Sequence, residues 1–379
     1  MKMNSNNLRL SMSVLDNEEL QAVTNVMQND GYLGMGIEVL HFEKEIAKYL
    51  GVPHDWVVCV SSGTAALHLA VQATTNPGEE VLVPSLTYIS SFQAISASNA
   101  IPIPCEVNIN TGNISVEDAK GRATNKTKVI MPVHYASNPE GIDNVYSFAK
   151  NNRLRVIEDA AHAFGCSHQG KKIGSFGDIV CFSFDGIKNI TSGEGGCIVT
   201  SDGKIAEHVR DARLLGVKKD TESRFYGKRS WDFDVTHQGY RYHMSNLFAS
   251  IGRAQLKKLD LIFGPKRKKI AKLYRDELSN IKELSFFNTN LDEQIPHIQP
   301  VCIKNGKKDL VMQTLKKNNI ETGIHYKPNH LHSLYNKDNK IKLPITEKVY
   351  SEILTLPLHP KVEIEDVIKI SNLIKKVII

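Results

Sequence analysis

The chain lacks a long hydrophobic run, a paired-cysteine motif and a strong excess of either charge. None of its 379 residues falls in a stretch approaching 18 consecutive apolar positions, about the length a spanning helix needs. The N-terminus, MKMNSNNLRL, is polar and carries no apolar leader. A cytoplasmic enzyme or binding protein is expected, with no membrane partner. The six cysteines, at 59, 105, 166, 181, 197 and 302, show neither CxxC pairing nor metal-ligand spacing. Cys59, Cys105, Cys181 and Cys197 sit in or beside apolar runs, which suits buried thiols in a reducing compartment. The net charge is only +6, and the single basic cluster, Lys266, Arg267, Lys268 and Lys269, opens a predicted helix. It reads as a solvated face, so no nucleic-acid partner is expected. The basic balance does suit an anionic small molecule.

What is present is enough apolar material for a large core. At 41% hydrophobic, the chain exceeds the roughly 250–300 residues at which single cores stop growing. Two domains are expected, a large one over 1–261 and a smaller one over 262–379. Residues 15–29 carry a helical period with Asp16 as N-cap, and VLHFEKEIAKYLG repeats it and stops at Gly51. VVCV (57–60), EVLVP (80–84), IPIPCEV, KVIMPVH (128–134) and LRVIED (154–159) are short apolar runs separated by helical patterns. Runs without two-residue alternation, each followed by a helix, predict a parallel sheet covered on both faces. Beyond about 262, a strand in HIQPVCI, a helix near 307–318, a strand in ETGIHY and two final helices predict the smaller α/β layer.

Ligands of such sheets bind where the strands end at their carboxyl termini. Ser61 to Thr64, Tyr88, His134, Asp159 and Lys188 all fall at those ends or just after them. Ser61-Ser62-Gly63-Thr64 joins a strand directly to a helix, which offers free backbone amides and a helix dipole to an anion; for the motif in isolation, capping of that helix is the plainer reading. VIEDAAHAFG places Asp159 at the end of a buried strand, where a carboxylate needs a cation or hydrogen-bond donors, with His162 three residues on. In residues 179–199, IVCFSFDGIKNITSGEGGCIV, one lysine occupies a polar loop between two apolar strands. Taken alone, Lys188 is a surface charge. Taken together, an anion nest, an aromatic, a deep Asp, a Ser and a Lys are the groups pyridoxal phosphate requires for its phosphate, ring, pyridine nitrogen and aldehyde.

These segments resemble the DegT/StrS-type sugar aminotransferases of the aspartate aminotransferase fold. The resemblance spans SSGTAALHLA (61–70), VLVPSLTY (81–88), VIEDAAHAFG (156–165), IGSFGDIVCFSF (173–184), KNITSGEGG (188–196), HQGYRYHMSN (237–246) and ILTLPLHP (353–360). It implies a large domain built on a mostly parallel, seven-stranded-type sheet that binds pyridoxal 5'-phosphate, plus a small C-terminal α/β domain. It implies Lys188 as the covalent anchor and proton-transfer group, and Asp159 as the partner of the pyridine nitrogen. His162 would contact the ring hydroxyl and Tyr88 would stack on the ring. Ser62, Gly63, Thr64 and Ser183 would cradle the phosphate, and Asn246 would reach the phosphate of the neighbouring subunit in a homodimer with shared sites.

L-glutamate is the implied amino donor and a keto-sugar, most often nucleotide-linked, the acceptor, in lipopolysaccharide, surface-polysaccharide or other amino-sugar synthesis. Asp185 departs from the family's usual His or aromatic, and GYRYHMS from its GYNYRMS, so Asp185, Arg241 and His243 are candidate substrate contacts. His325, Tyr326 and His330 in HYKPNH are further candidates, with loop packing as the plainer reading and no metal expected. Two other readings stay open: amination of an oxidised eight-carbon keto acid sugar, and, from a different class, a non-catalytic cofactor-binding regulator. A dehydrating branch that replaces the lysine by histidine is disfavoured by Lys188, and no appended DNA-binding module is expected.

Overall fold

The computed structural model describes residues 7–218, 220–228, 231–336 and 340–378; the first six residues of the polar N-terminus lie outside these. A seven-stranded sheet is built from β1 (Val57–Val60), β2 (Glu80–Pro84), β3 (Ile101–Cys105), β4 (Thr127–Ile130), β5 (Arg155–Asp159), β8 (Ile179–Ser183) and β9 (Gly196–Thr200). A small hairpin, β6 (Ser167–His168) with β7 (Lys171–Lys172), lies between β5 and β8 in sequence. The strand order is β1-β9-β8-β5-β4-β2-β3. All neighbours run parallel except β9, which is antiparallel to both β1 and β8. β1, β8 and β9 are buried along their whole length. That is why their sequences are continuous apolar runs, and why the reversed direction of β9 leaves no trace in residue pattern. All six cysteines are buried free thiols.

Helices cover both faces. Asp16 closes a capping box with Glu19 at the start of helix Asn17–Asn25, and Gly51 ends helix Ile37–Leu50 in the left-handed conformation, φ 74°, as their sequences predict. Among the described residues no helix is long and apolar enough to cross a membrane.

A second, antiparallel sheet is formed by β10 (Leu284–Ser285), β11 (Gln299–Ile303) and β12 (Ile353–Leu356). Helices Gly264–Leu278, Lys308–Lys317 and Ile364–Ile378 pack with it around a separate core that includes Tyr274, Val301, Leu315 and Ile370. Leu8 pairs with Ile320, so the N-terminal segment also packs on this core. Two expectations need correcting. ETGIHY is no strand: it touches the sheet through one bridge, Gly323 to Thr355 on the outer edge of β12, because the chain after Gly323 leaves the sheet to place His325 and Tyr326 at a cavity. The basic cluster is not wholly solvated, since Arg267 faces inward at 2% exposure.

Candidate active site

Helix Gly63–Gln72 follows β1, and its N-terminus meets the ends of β5 and β8 around a cavity of about 380 Å³. Side chains alternate along a strand, and β5 uses this to separate two adjacent acids. Glu158 turns away from the cavity, where its carboxylate meets His134 Nε2 at 2.6 Å and accepts from the Tyr146 hydroxyl at 2.5 Å. Asp159 turns into it. Its Oδ2 accepts from Ser91 Oγ at 2.7 Å and its Oδ1 from the Ala161 N–H at 3.2 Å. The partners of this buried carboxylate are thus a hydroxyl and an amide, and no ion pair to Asp159 exists among the described residues. Burial raises its pKa, because desolvation disfavours the charged form.

Ser62 caps the helix, with Oγ accepting from the Ala65 N–H at 3.1 Å. The amides of Gly63 and Thr64 have no protein acceptor among the described residues, and both residues line the cavity. A Cβ on Gly63 would lie 2.7 Å from Ser183 Cβ, and one on Gly196 would lie 2.7 Å from the Gly63 nitrogen. Two glycines therefore let the helix terminus press against β8 and β9. Capping and anion nest are both present, since the cap takes one amide and leaves two.

The loop between β8 and β9 is drawn inward rather than exposed. Ile190 and Asn189 are buried, and Asn189 Nδ2 donates to the Phe164 and Ile295 carbonyls. This turns Lys188 from a surface position to the cavity wall. Burial lowers its pKa to about 8; the charges of Asp185 and Asp159 oppose that shift, and Arg267 adds to it. Nζ lies 3.5 Å from Nε2 of His297. Asp185 accepts the Ile187 N–H at 3.3 Å and lines the cavity beside Glu194.

Tyr88 begins helix Ile89–Ala97 at the rim, its ring 5.6 Å from that of Tyr326. Tyr326 Oη is 3.0 Å from His162 Nε2, and His162 Nδ1 is buried with no partner. Burial pushes the His162 imidazole well below its usual pKa. His325 reaches the cavity too, held by Thr355 Oγ1 at 2.9 Å.

Four of the expected residues lie elsewhere. His330 is buried behind the site, between Ser85 Oγ at 2.7 Å and Glu347 at 3.2 Å, so HYKPNH divides into cavity residues and a packing residue. Asn246 is fully buried; its Nδ2 donates to the Tyr32 carbonyl and its Oδ1 accepts from the Glu38 N–H. Arg241 is exposed, on a segment that pairs with Leu214, and His243 is paired with Val60 beside it. Ser91, Glu194 and His297 are site residues that sequence reasoning missed. HIQPVCI reads as the start of a strand, and nothing in it marks the histidine as facing a lysine 109 positions away.

An unpaired buried carboxylate, two open amides at a helix terminus, an orphaned imidazole nitrogen and a desolvated amine share one cavity. That donor set fits pyridoxal phosphate: anion at the amides, protonated ring nitrogen at Asp159, aldehyde at Lys188.

Comparison with known proteins agrees. The profile of the DegT/DnrJ/EryC1/StrS aminotransferase family matches residues 13–375. The spore coat polysaccharide biosynthesis protein SpsC of Bacillus subtilis is 32% identical, over 98% of this chain and 97% of its own. The aminotransferase TlmJ from Streptoalloteichus hindustanus superposes with a TM-score of 0.90 at 28% identity, covering 98% of both chains. The PLP-form of the putative sugar aminotransferase Spr1654 from Streptococcus pneumoniae superposes at 0.88 and 25% identity, over 98% of this chain and 100% of that one.

Proposed function

The chain belongs to the DegT/DnrJ/EryC1/StrS aminotransferase family, whose members are pyridoxal-phosphate-dependent sugar aminotransferases, and we propose that it moves an amino group from L-glutamate to a nucleotide-linked keto-sugar. The observation that carries this reading is the placing of the Lys188 amine and the Asp159 carboxylate on one cavity, with no ion pair to that acid among the described residues.

When bound, pyridoxal phosphate supplies a conjugated ring that accepts the electron pair released at the amino-bearing carbon. Asp159 would hold the ring nitrogen protonated; for a contact of about 4 Å at an effective dielectric near 20, that attraction would be worth about 4 kcal/mol before desolvation. Lys188 would hold the cofactor covalently, and its amine, when free, would serve as the group that accepts and donates a proton in the cavity. With a pKa of about 8, roughly a tenth of the free amine is neutral at pH 7. Gly63, Thr64, Ser62 and Ser183 would receive the phosphate, His162 would meet the ring hydroxyl, and Tyr88 would cover the ring.

The cavity wall carries the carboxylates of Asp159, Asp185 and Glu194 and a single amine. A dicarboxylic donor and a phosphorylated acceptor need further cations, and a homodimer supplies them. The exposed Arg241 and the exposed aromatics Tyr226, Trp231 and Phe233 nearby in sequence support that assembly. Asn246 enters as the residue each subunit offers to its neighbour's phosphate, with Nδ2 already donating one N–H to the Tyr32 carbonyl. The buried free thiols support a cytoplasmic site of action, and the SpsC likeness supports a product destined for surface polysaccharide.

The test is spectroscopic. Holoenzyme absorbance should lose its aldehyde-bound band on addition of L-glutamate, with 2-oxoglutarate released, and regain it with a nucleotide-linked keto-sugar. A spectrum indifferent to glutamate sinks the donor; recovery only with an oxidised eight-carbon keto acid sugar replaces the acceptor.

A further inference from the structure

Behind Lys188 lies a buried group that the reading above does not use. His297 is 3% exposed, and its Nε2 sits 3.5 Å from Lys188 Nζ. Its ring packs against that of His162 with centroids 4.6 Å apart. The backbone of His297 is held from two sides. Its N–H donates to Ser137 Oγ at 2.9 Å, and its carbonyl accepts from Arg267 Nη1 at 3.1 Å, the same nitrogen that reaches the Leu358 carbonyl at 3.1 Å. Ser137 Oγ also donates to the His162 carbonyl at 2.5 Å. One hydroxyl therefore ties together the main chains of the two histidines.

The turn that delivers this hydroxyl is strained. Ala136 and Ser137 are consecutive, non-glycine, left-handed residues, with φ of 52° and 71°, in a fully packed interior. L-residues resist that conformation, and such strain persists only where its surroundings enforce it, which is common at functional sites. Arg267 is likewise an expensive choice for holding carbonyls, being a buried guanidinium with Nε unpartnered and no anion paired to it among the described residues.

We propose that His297 is a positioning residue for the transamination chemistry: its imidazole receives the Lys188 amine whenever that amine is free, and aims it at the cavity for attack on the cofactor aldehyde and for proton transfer. The inference rests on Lys188 being the anchor. The other groups facing Nζ are Asp185 on its own loop, Asp159 on β5, His162, His325 and Arg267. Among the described residues neither carboxylate is hydrogen-bonded to Nζ, which leaves His297 Nε2, in the tautomer protonated at Nδ1, as the acceptor offered to it. Burial and the charges of Lys188 and Arg267 keep that imidazole neutral. A neutral acceptor orients the amine without locking it as an ammonium ion, as a paired carboxylate would.

The experiment uses the full-length protein stripped of cofactor and mixed with pyridoxal phosphate, following covalent capture by absorbance in stopped flow, with the glutamate half-reaction measured separately. His297→Phe keeps ring volume and removes the acceptor. It should slow covalent capture and the glutamate half-reaction about tenfold, as loss of one such hydrogen bond implies, while KM for glutamate stays within threefold. His297→Gln restores an acceptor and should recover most of both rates. Equal impairment in the two variants means a packing role and overturns the proposal, as does an unimpaired His297→Phe. Should His297→Phe fail to fold by circular dichroism, Ser137→Ala decides: capture slowed severalfold supports the proposal, and an unchanged rate refutes it. Lys188→Ala separates the levels. If it still captures the cofactor covalently, the underlying reading fails; if it does not, and His297→Phe is normal, only the present inference fails.

Discussion

Replacing Asp159 by asparagine should make the cofactor-free protein no less stable while stripping it of most of its cofactor affinity. The carboxylate is buried and its folded-state pKa is raised above the usual 3.8. The folded protein thus binds that proton more tightly than the unfolded chain does. Ionisation costs the fold nothing below the unfolded pKa, and the cost grows as pH rises from there to the folded pKa and persists above it. Asparagine removes the cost at neutral pH. It keeps both hydrogen bonds, with its oxygen on the Ala161 N–H and its amide on Ser91 Oγ, whose hydroxyl turns toward Thr87 Oγ1 at 2.9 Å. The holoprotein behaves in the opposite sense. Losing an attraction of about 4 kcal/mol, partly offset by the remaining polarity of the amide, should weaken pyridoxal phosphate binding about 100-fold or more. At a concentration 100 times the wild-type Kd, cofactor stabilises by about 2.7 kcal/mol, or about 3 °C in Tm for this chain length. Asp159→Asn at that concentration should show under 1 °C. The assay is a pair of thermal melts, with and without cofactor, beside a fluorescence titration. A variant that melts earlier without cofactor yet keeps the wild-type shift refutes the reasoning, because Asp159 would then be structural.

Two further outcomes follow from the same geometry. With the Lys188 pKa near 8, the rate of cofactor capture by cofactor-free protein should rise with pH through a midpoint close to 8, since the neutral amine is the nucleophile; a rate still climbing steadily above pH 10 would mean an ordinary exposed lysine. Gly63→Ala puts a methyl 2.7 Å from Ser183 Cβ, which should destabilise by about 1–3 kcal/mol and displace the open amides, lowering phosphate-dependent cofactor affinity at least tenfold; a binding titration matching wild type would remove those amides from the site.

How far the sequence discloses this site depends on the distance over which a residue is positioned. Asp159 and the Ser62–Thr64 turn are legible because strand, turn and helix are local patterns and their ends define the ligand face. Lys188 becomes legible only by convergence, since what turns its loop inward is Asn189 bonding to Phe164 and Ile295. His297 and Ser91 are silent: one lies two residues before strand β11 and the other inside a helix of small residues, and each is placed by packing between distant segments. Arg267 is hidden by its neighbours, because one residue of a four-residue basic run on a helix necessarily points a different way from the rest. ETGIHY is read as a strand but meets the sheet only at Gly323, on the outer edge of β12, and its second half is drawn away to the cavity that His325 and Tyr326 line, a placement made by tertiary contacts. The small core to which Leu8 belongs joins opposite ends of the chain, which no local pattern can announce.

The adjacent acids of β5 make the pairing of that strand with β8 a matter of chemistry as well as stability. Asp159 stands opposite Cys181, and Glu158 opposite Val180. Sliding the strand by one residue would exchange their faces, sending a longer carboxylate toward the cofactor and leaving His134 and Tyr146 with a shorter one they do not reach in the same way. Insertions or deletions between residues 155 and 159 are therefore excluded even where the fold would absorb them. Anyone grafting new substrate loops onto this scaffold has freedom on the cavity rim and none in the frame of that strand.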